Sequence, residues 1–88
     1  MRPMVLLFVQ EGCPHCEIAK PEFERYKSKN PSQMALVFDA DGPYAEHFTG
    51  KAIRVTPLYV LRGNDDVLAR YEGVFKAEAL EKWVKANA

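Results

Sequence analysis

Two cysteines stand three residues apart in Cys13-Pro14-His15-Cys16, and the 88-residue chain has no others. A pair at that spacing can cycle between dithiol and disulfide, provided one sulfur is held as a thiolate. The surrounding sequence favours that state at Cys13. An apolar run ends at Val9, Gly12 breaks it, and Pro14 sits where the first turn of a helix tolerates proline. Cys13 therefore falls at a helix start, where unpaired N–H groups and the positive end of the helix dipole lower a thiol pKa. Cys16 lies one turn in, on the same side and within reach of a disulfide. His15 adds positive charge when protonated. Stabilising the thiolate stabilises the reduced pair, so Pro14 and His15 are expected to tune the redox poise.

Two other uses of the pair compete with this one. A structural bridge closing four residues would contribute only about 2 kcal/mol, and a staple would join distant segments instead. A metal site would have to recruit His15 and His47. His15 lies inside the same short loop, and His47 alone leaves a tetrahedral set incomplete, so no metal ligands are assigned. A redox-active dithiol is the favoured reading.

The elements that must position the pair follow from the pattern. Residues 5–9 read as a strand covered on both faces. A helix is expected over 13–29, with Ala19, Phe23 and Tyr26 on its inner side and Pro21 kinking it rather than ending it. Residues 34–38 read as a second buried strand, 44–49 as a short helix closed near Gly50, and 58–61 as a third strand. Gly63-Asn64-Asp65-Asp66 carries turn chemistry and makes 58–61 and 67–71 a hairpin. A last amphipathic helix over 76–85 is expected to bury Leu80, Trp83 and Val84. Tyr44, Tyr59 and Trp83 read as core or semi-buried aromatics, and Asp39 and Asp41 as strand-end and turn residues. The order is β-α-β-α-β-β-α, an α/β fold with a four-stranded mixed sheet flanked by three helices.

Composition narrows the classes. Twelve Lys and Arg balance twelve Asp and Glu, and 48% of the residues are hydrophobic. Zero net charge argues against nucleic acid or an anionic membrane as partner. The longest apolar run, Met4 to Val9, is far short of the roughly 20 residues that span a bilayer. With Arg2 as the lone basic residue before it, that run makes a poor secretory leader, so the expectation is one cytoplasmic, monomeric domain over 1–88.

Cys13 to Cys16, Pro21 five residues after the second cysteine, and Thr56-Pro57 before an apolar strand together resemble the thioredoxin superfamily. The resemblance covers nearly the whole chain, minus the N-terminal strand and helix of full-length thioredoxins. It implies a cis Thr56-Pro57 bond beside the dithiol, with the residue before that proline pairing with a substrate chain like an added strand. It further implies a thiol–disulfide oxidoreductase with a mixed-disulfide intermediate. The substrates would be disulfide-containing proteins, with a reductase or glutathione as electron source and no bound cofactor. Cys-Pro-His-Cys is similar to the centres of periplasmic oxidases and of short archaeal redoxins. The Ile53-Arg54-Val55-Thr56-Pro57 run looks more like thioredoxin, while the length looks like glutaredoxin. Glutaredoxins hold glutathione with a Gly-Gly and acidic pair, yet here the run is Gly73-Val74-Phe75-Lys76. Thioredoxins also bury an Asp six residues before the first cysteine, where this chain has Leu7, and Ala35 falls about where they carry a neighbouring Lys. The proton of Cys16 must then pass to water, Glu11 or His15. A glutathione-dependent reductase and a metal-handling dithiol protein are the alternatives.

Overall fold

A computed structural model describes residues 3–88. Arg2, on which the leader argument turned, lies outside the described residues. The elements run β1 (Met4–Val9), α1 (Pro14–Lys29), β2 (Ala35–Asp39), α2 (Ala45–Thr49), β3 (Leu58–Arg62), β4 (Val67–Glu72) and α3 (Ala77–Asn87). That is the order expected from the pattern.

The strands form one sheet in the order β2-β1-β3-β4. β1 pairs with β2 in parallel, Leu7 opposite Val37, and with β3 antiparallel, Leu7 opposite Tyr59. β3 and β4 form the antiparallel hairpin, closed where Gly63 N–H donates to the Asp66 carbonyl at 2.8 Å. Because side chains alternate along each strand, the sheet has two distinct apolar faces. Val5, Leu7, Tyr59 and Leu61 point to one, where α1 contributes Ala19, Phe23 and Tyr26 and α3 contributes Ala77, Leu80 and Val84. Leu6, Phe8, Leu58 and Val60 point to the other, beneath Ala45 and Phe48 of α2. α1 runs uninterrupted through Pro21.

Two expectations about burial are corrected. β2 is an edge strand, not a strand covered on both faces. Leu36 is 41% and Val37 40% exposed, and Met34 lies outside the strand and exposed. The reason is topological: β1 and β3 occupy the centre and β2 has a strand neighbour on one side only, so Leu36 and Val37, on opposite faces, are both incompletely covered, while Phe38 stacks on Phe48 of α2. Tyr44 is 61% exposed at the N-cap position of that short helix, its ring 6.4 Å from that of Phe48. Trp83 is half-buried, within the reading given for it, and lies against Tyr71 and Phe75 at the margin of the core. Tyr59 is fully buried, as expected. The Asp39 carboxylate accepts from the Asp41 N–H at 2.9 Å, the turn role assigned to it.

Candidate redox site

The site is assembled where β1 hands over to α1. Gly12 has φ +78°, a left-handed turn conformation that glycine adopts without steric cost. It sets Cys13 in extended geometry as the N-cap of α1, with Pro14 in the first turn. As N-cap, Cys13 takes up helix-start donors that would otherwise lack partners. Its Sγ accepts from the Cys16 N–H at 3.2 Å, and its carbonyl accepts from the N–H groups of Cys16 and Glu17 at 3.1 and 3.3 Å. The two cysteines are joined as a disulfide with Cα atoms 5.2 Å apart. Their exposures differ. Cys13 is partly accessible, while Cys16 is fully buried under the first turn.

The segment before β3 closes the site from the side. Thr56-Pro57 is a cis peptide bond, the geometry implied by the resemblance. The Thr56 hydroxyl donates to Cys13 Sγ at 3.4 Å, and the Thr56 carbonyl oxygen lies 3.6 Å from the same sulfur. Pro57 is buried, and its carbonyl accepts from Gly73 N–H at 3.1 Å, tying the segment to the end of β4. Gly73 has φ +139°, a conformation that L side chains rarely adopt, and a Cβ there would crowd the Tyr71 ring at 3.2 Å. The Phe75 N–H then donates to the Tyr59 hydroxyl at 3.5 Å. Burial pushes the Tyr59 phenol pKa up, against the lowering effect of that hydrogen bond.

Cys13, Cys16, Thr56 and Pro57 are thus brought together. Pro14 and His15 are exposed on the turn between the sulfurs, and Glu11 is exposed just before Gly12. Neither His15 nor Glu11 makes a hydrogen bond or ion pair among the described residues. Leu7 is fully buried opposite Val37, and Ala35 is buried two residues earlier on β2. Thr49 is the one buried polar side chain among the described residues, so no carboxylate lies in the core beneath Cys16. His47 sits on α2, edge-on to Phe48. Among the described residues no group of three or more His, Cys, Asp or Glu is placed to hold a metal ion.

Two contributions escape a reading of the sequence. The Thr56 hydroxyl reaches a sulfur 43 residues away, and Gly73 locks Pro57 from the far strand of the hairpin. The motif pointed to both segments but not to these contacts. A cleft of about 630 Å³, lined by Lys51, Ala52, Arg54, Leu58, Arg70, Tyr71 and Glu72, opens beside the same segment. No spacing announces it, because its cations come from separate elements.

No protein-family model matches the sequence, and no curated protein matches it. Solved structures do. Thioredoxin from Fasciola hepatica is 18% identical with a TM-score of 0.82, the match covering 99% of this chain and 82% of that one. A malaria-parasite thioredoxin-2, described as a component of the protein secretion machinery, is 20% identical with a TM-score of 0.82, over 97% and 82% of the two chains. The periplasmic thioredoxin SoxS of Paracoccus pantotrophus, in its reduced form, is 20% identical with a TM-score of 0.74, over 97% and 94%. With a four-stranded mixed sheet, three helices and a Cys-x-x-Cys disulfide at the start of α1, the chain has the thioredoxin fold.

Proposed function

We propose that the chain is a thiol–disulfide oxidoreductase acting on protein disulfides through Cys13 and Cys16. One observation carries the reading: an accessible Cys13 sulfur faces two hydrogen-bond donors at a helix N-terminus, with its partner sulfur buried directly behind. In the reduced protein, the Cys16 N–H, the Thr56 hydroxyl and the helix dipole all favour a Cys13 thiolate. The thiolate attacks one sulfur of the substrate disulfide. That S–S bond breaks as a Cys13–substrate disulfide forms, and the departing thiolate takes a proton from solvent. Cys16 then loses its proton and attacks Cys13 Sγ. The second substrate thiolate leaves and is protonated, and the pair ends as the intramolecular disulfide. Two electrons have passed from the dithiol to the substrate, and a thiol reductant such as glutathione or a dedicated reductase returns them.

Burial assigns the roles. Only Cys13 can meet an external disulfide, and only Cys16 is shielded from competing thiols. Thr56 and Pro57 dock the substrate chain, and Pro14 and His15 set the poise. With Leu7 in place of a core carboxylate, the Cys16 proton passes to water, Glu11 or His15. Coupling to a protein reductase is favoured over glutathione, because the Gly73 N–H is already engaged by Pro57 and Phe75 is buried where a glutathione cradle would open.

The test is insulin-disulfide reduction. Cys13→Ser abolishes it, whereas Cys16→Ser accumulates the mixed disulfide, visible as a covalent adduct by mass spectrometry. Turnover by Cys13→Ser at the parent rate would refute the mechanism. Glu11→Gln combined with His15→Ala shifts the pH–rate profile, and an unchanged profile removes both groups as proton acceptors.

A further inference from the structure

The cleft beside the Thr56-Pro57 segment is cationic. Lys51, Arg54 and Arg70 line it against one carboxylate, Glu72, in a chain whose net charge is zero. None of these four side chains takes part in an ion pair among the described residues. The Arg70 guanidinium is positioned from behind, donating to the Thr49 carbonyl at 2.9 Å. Concave walls concentrate the field of such charges, so an anionic group is drawn in.

The cleft also has a defined place relative to the sulfur. Arg54 lies two residues before Thr56, whose hydroxyl touches Cys13, and Leu58 follows Pro57 directly. Resting on the reading of Cys13 and Cys16 as an exchange pair, a substrate chain beside Thr56 runs as an extended strand. Its side chains then alternate, with same-face positions about 6.6 Å apart. Arg54 is two residues along the chain from Thr56, within about 7 Å even fully extended, so its long side chain reaches the substrate position two residues from the reacting cysteine.

We infer that this cleft selects protein disulfides carrying an acidic residue two positions from the reacting cysteine, with Lys51 and Arg54 as the specificity-determining cations. Glutathione is a poorer match, since its carboxylates lie within one residue of its sulfur.

Three extended octapeptide disulfides test this, identical except for Glu, Gln or Lys two positions to either side of the cysteine. The reduced protein is expected to favour the Glu peptide over the Gln peptide about 3- to 10-fold in kcat/KM at low ionic strength. The preference should collapse toward unity at about 0.5 M salt. Lys51→Glu combined with Arg54→Glu should invert the order, so that the Lys peptide is reduced fastest. A misfolded variant could not produce that gain. Equal rates for Glu and Lys peptides with the parent protein, or a Glu preference that survives the double reversal, would overturn the inference. So would a double reversal that changes only the rate on glutathione disulfide. If even the Gln peptide is not reduced, the exchange reading itself fails; if it is reduced and charge is ignored, only the cleft assignment falls.

Discussion

On the face of the sheet under α1 and α3, twelve buried residues form one cluster, with Phe23 against Tyr26 and Tyr59 and Tyr59 edge-on to Phe75. The exposed rims of those helices are tied by Arg25 and Lys29 to Glu78, and by Lys29 to Glu81. The opposite face has five buried residues, one five-residue helix, an exposed Leu36 and an open cationic cleft. The closed face fixes the helix that carries both sulfurs, so the geometry at Cys13 is set by tight packing. The open face leaves a cationic cleft beside the Thr56-Pro57 segment. Under the proposed function, position and recognition are divided between the two sides of one sheet.

The sharpest way to break this contrast is to remove one ring from each side. Phe23→Ala deletes a fully buried ring from the closed face and is expected to cost about 3–5 kcal/mol, a large part of the stability of a small domain. Phe48→Ala removes a half-buried ring that stacks on Phe38 at 5.2 Å and should cost about 1–2 kcal/mol. Urea denaturation of both variants gives the comparison, and equal losses would show that the two faces contribute alike.

Much of the closed face was legible because its signals are local. Ala19, Phe23 and Tyr26 repeat at helical spacing, and Gly12-Cys13-Pro14 writes its own helix start. The open face was less so. Four apolar residues over 35–38 look the same whether a strand is central or at an edge, and neighbours distant in sequence decide which. Trp83 has the right helical phase but packs at the margin of the core, against Tyr71 and Phe75. In the site, Cys13, Cys16, Thr56 and Pro57 could be picked out as residues. The hydroxyl-to-sulfur contact, the Gly73 lock and the pairing of Arg70 with the 51–54 segment are products of topology alone.

A smaller effect concerns how α1 and α3 are joined. The Glu22 carboxylate accepts from the Ala77 N–H at 2.9 Å and from Arg25 at 2.6 Å, so a side chain of α1 caps the start of α3. Glu22→Ala is expected to cost about 1 kcal/mol, the usual loss for a helix cap. It should also raise amide exchange in the first turn of α3 while leaving α2 unchanged. Uniform exchange across both helices would mean that the cap does not couple the pair.

The smallest expected effect separates the faces by pH. Hydrogen bonding from Lys29, from its own backbone N–H and from Arg25 holds the Glu78 carboxyl at about 2, below its ordinary value of 4.5. The Glu81 carboxyl is lowered for the same leading reason, its hydrogen bond from Lys29. A carboxyl whose pKa is depressed by folding stabilises the fold above its unfolded value. That contribution is lost as pH falls from about 4.5 toward 2. Glu78 is exposed, so salt screens much of it. Comparing the parent with Glu78→Gln, the difference in thermal midpoint should be largest near neutral pH and low salt, shrink through that acid window, and shrink again with added salt. Glu46 on α2 makes no ion pair or side-chain hydrogen bond among the described residues, so Glu46→Gln should show no such window. A matching acid dependence in both variants would place the electrostatic seam on both sides of the sheet and remove this part of the distinction between them.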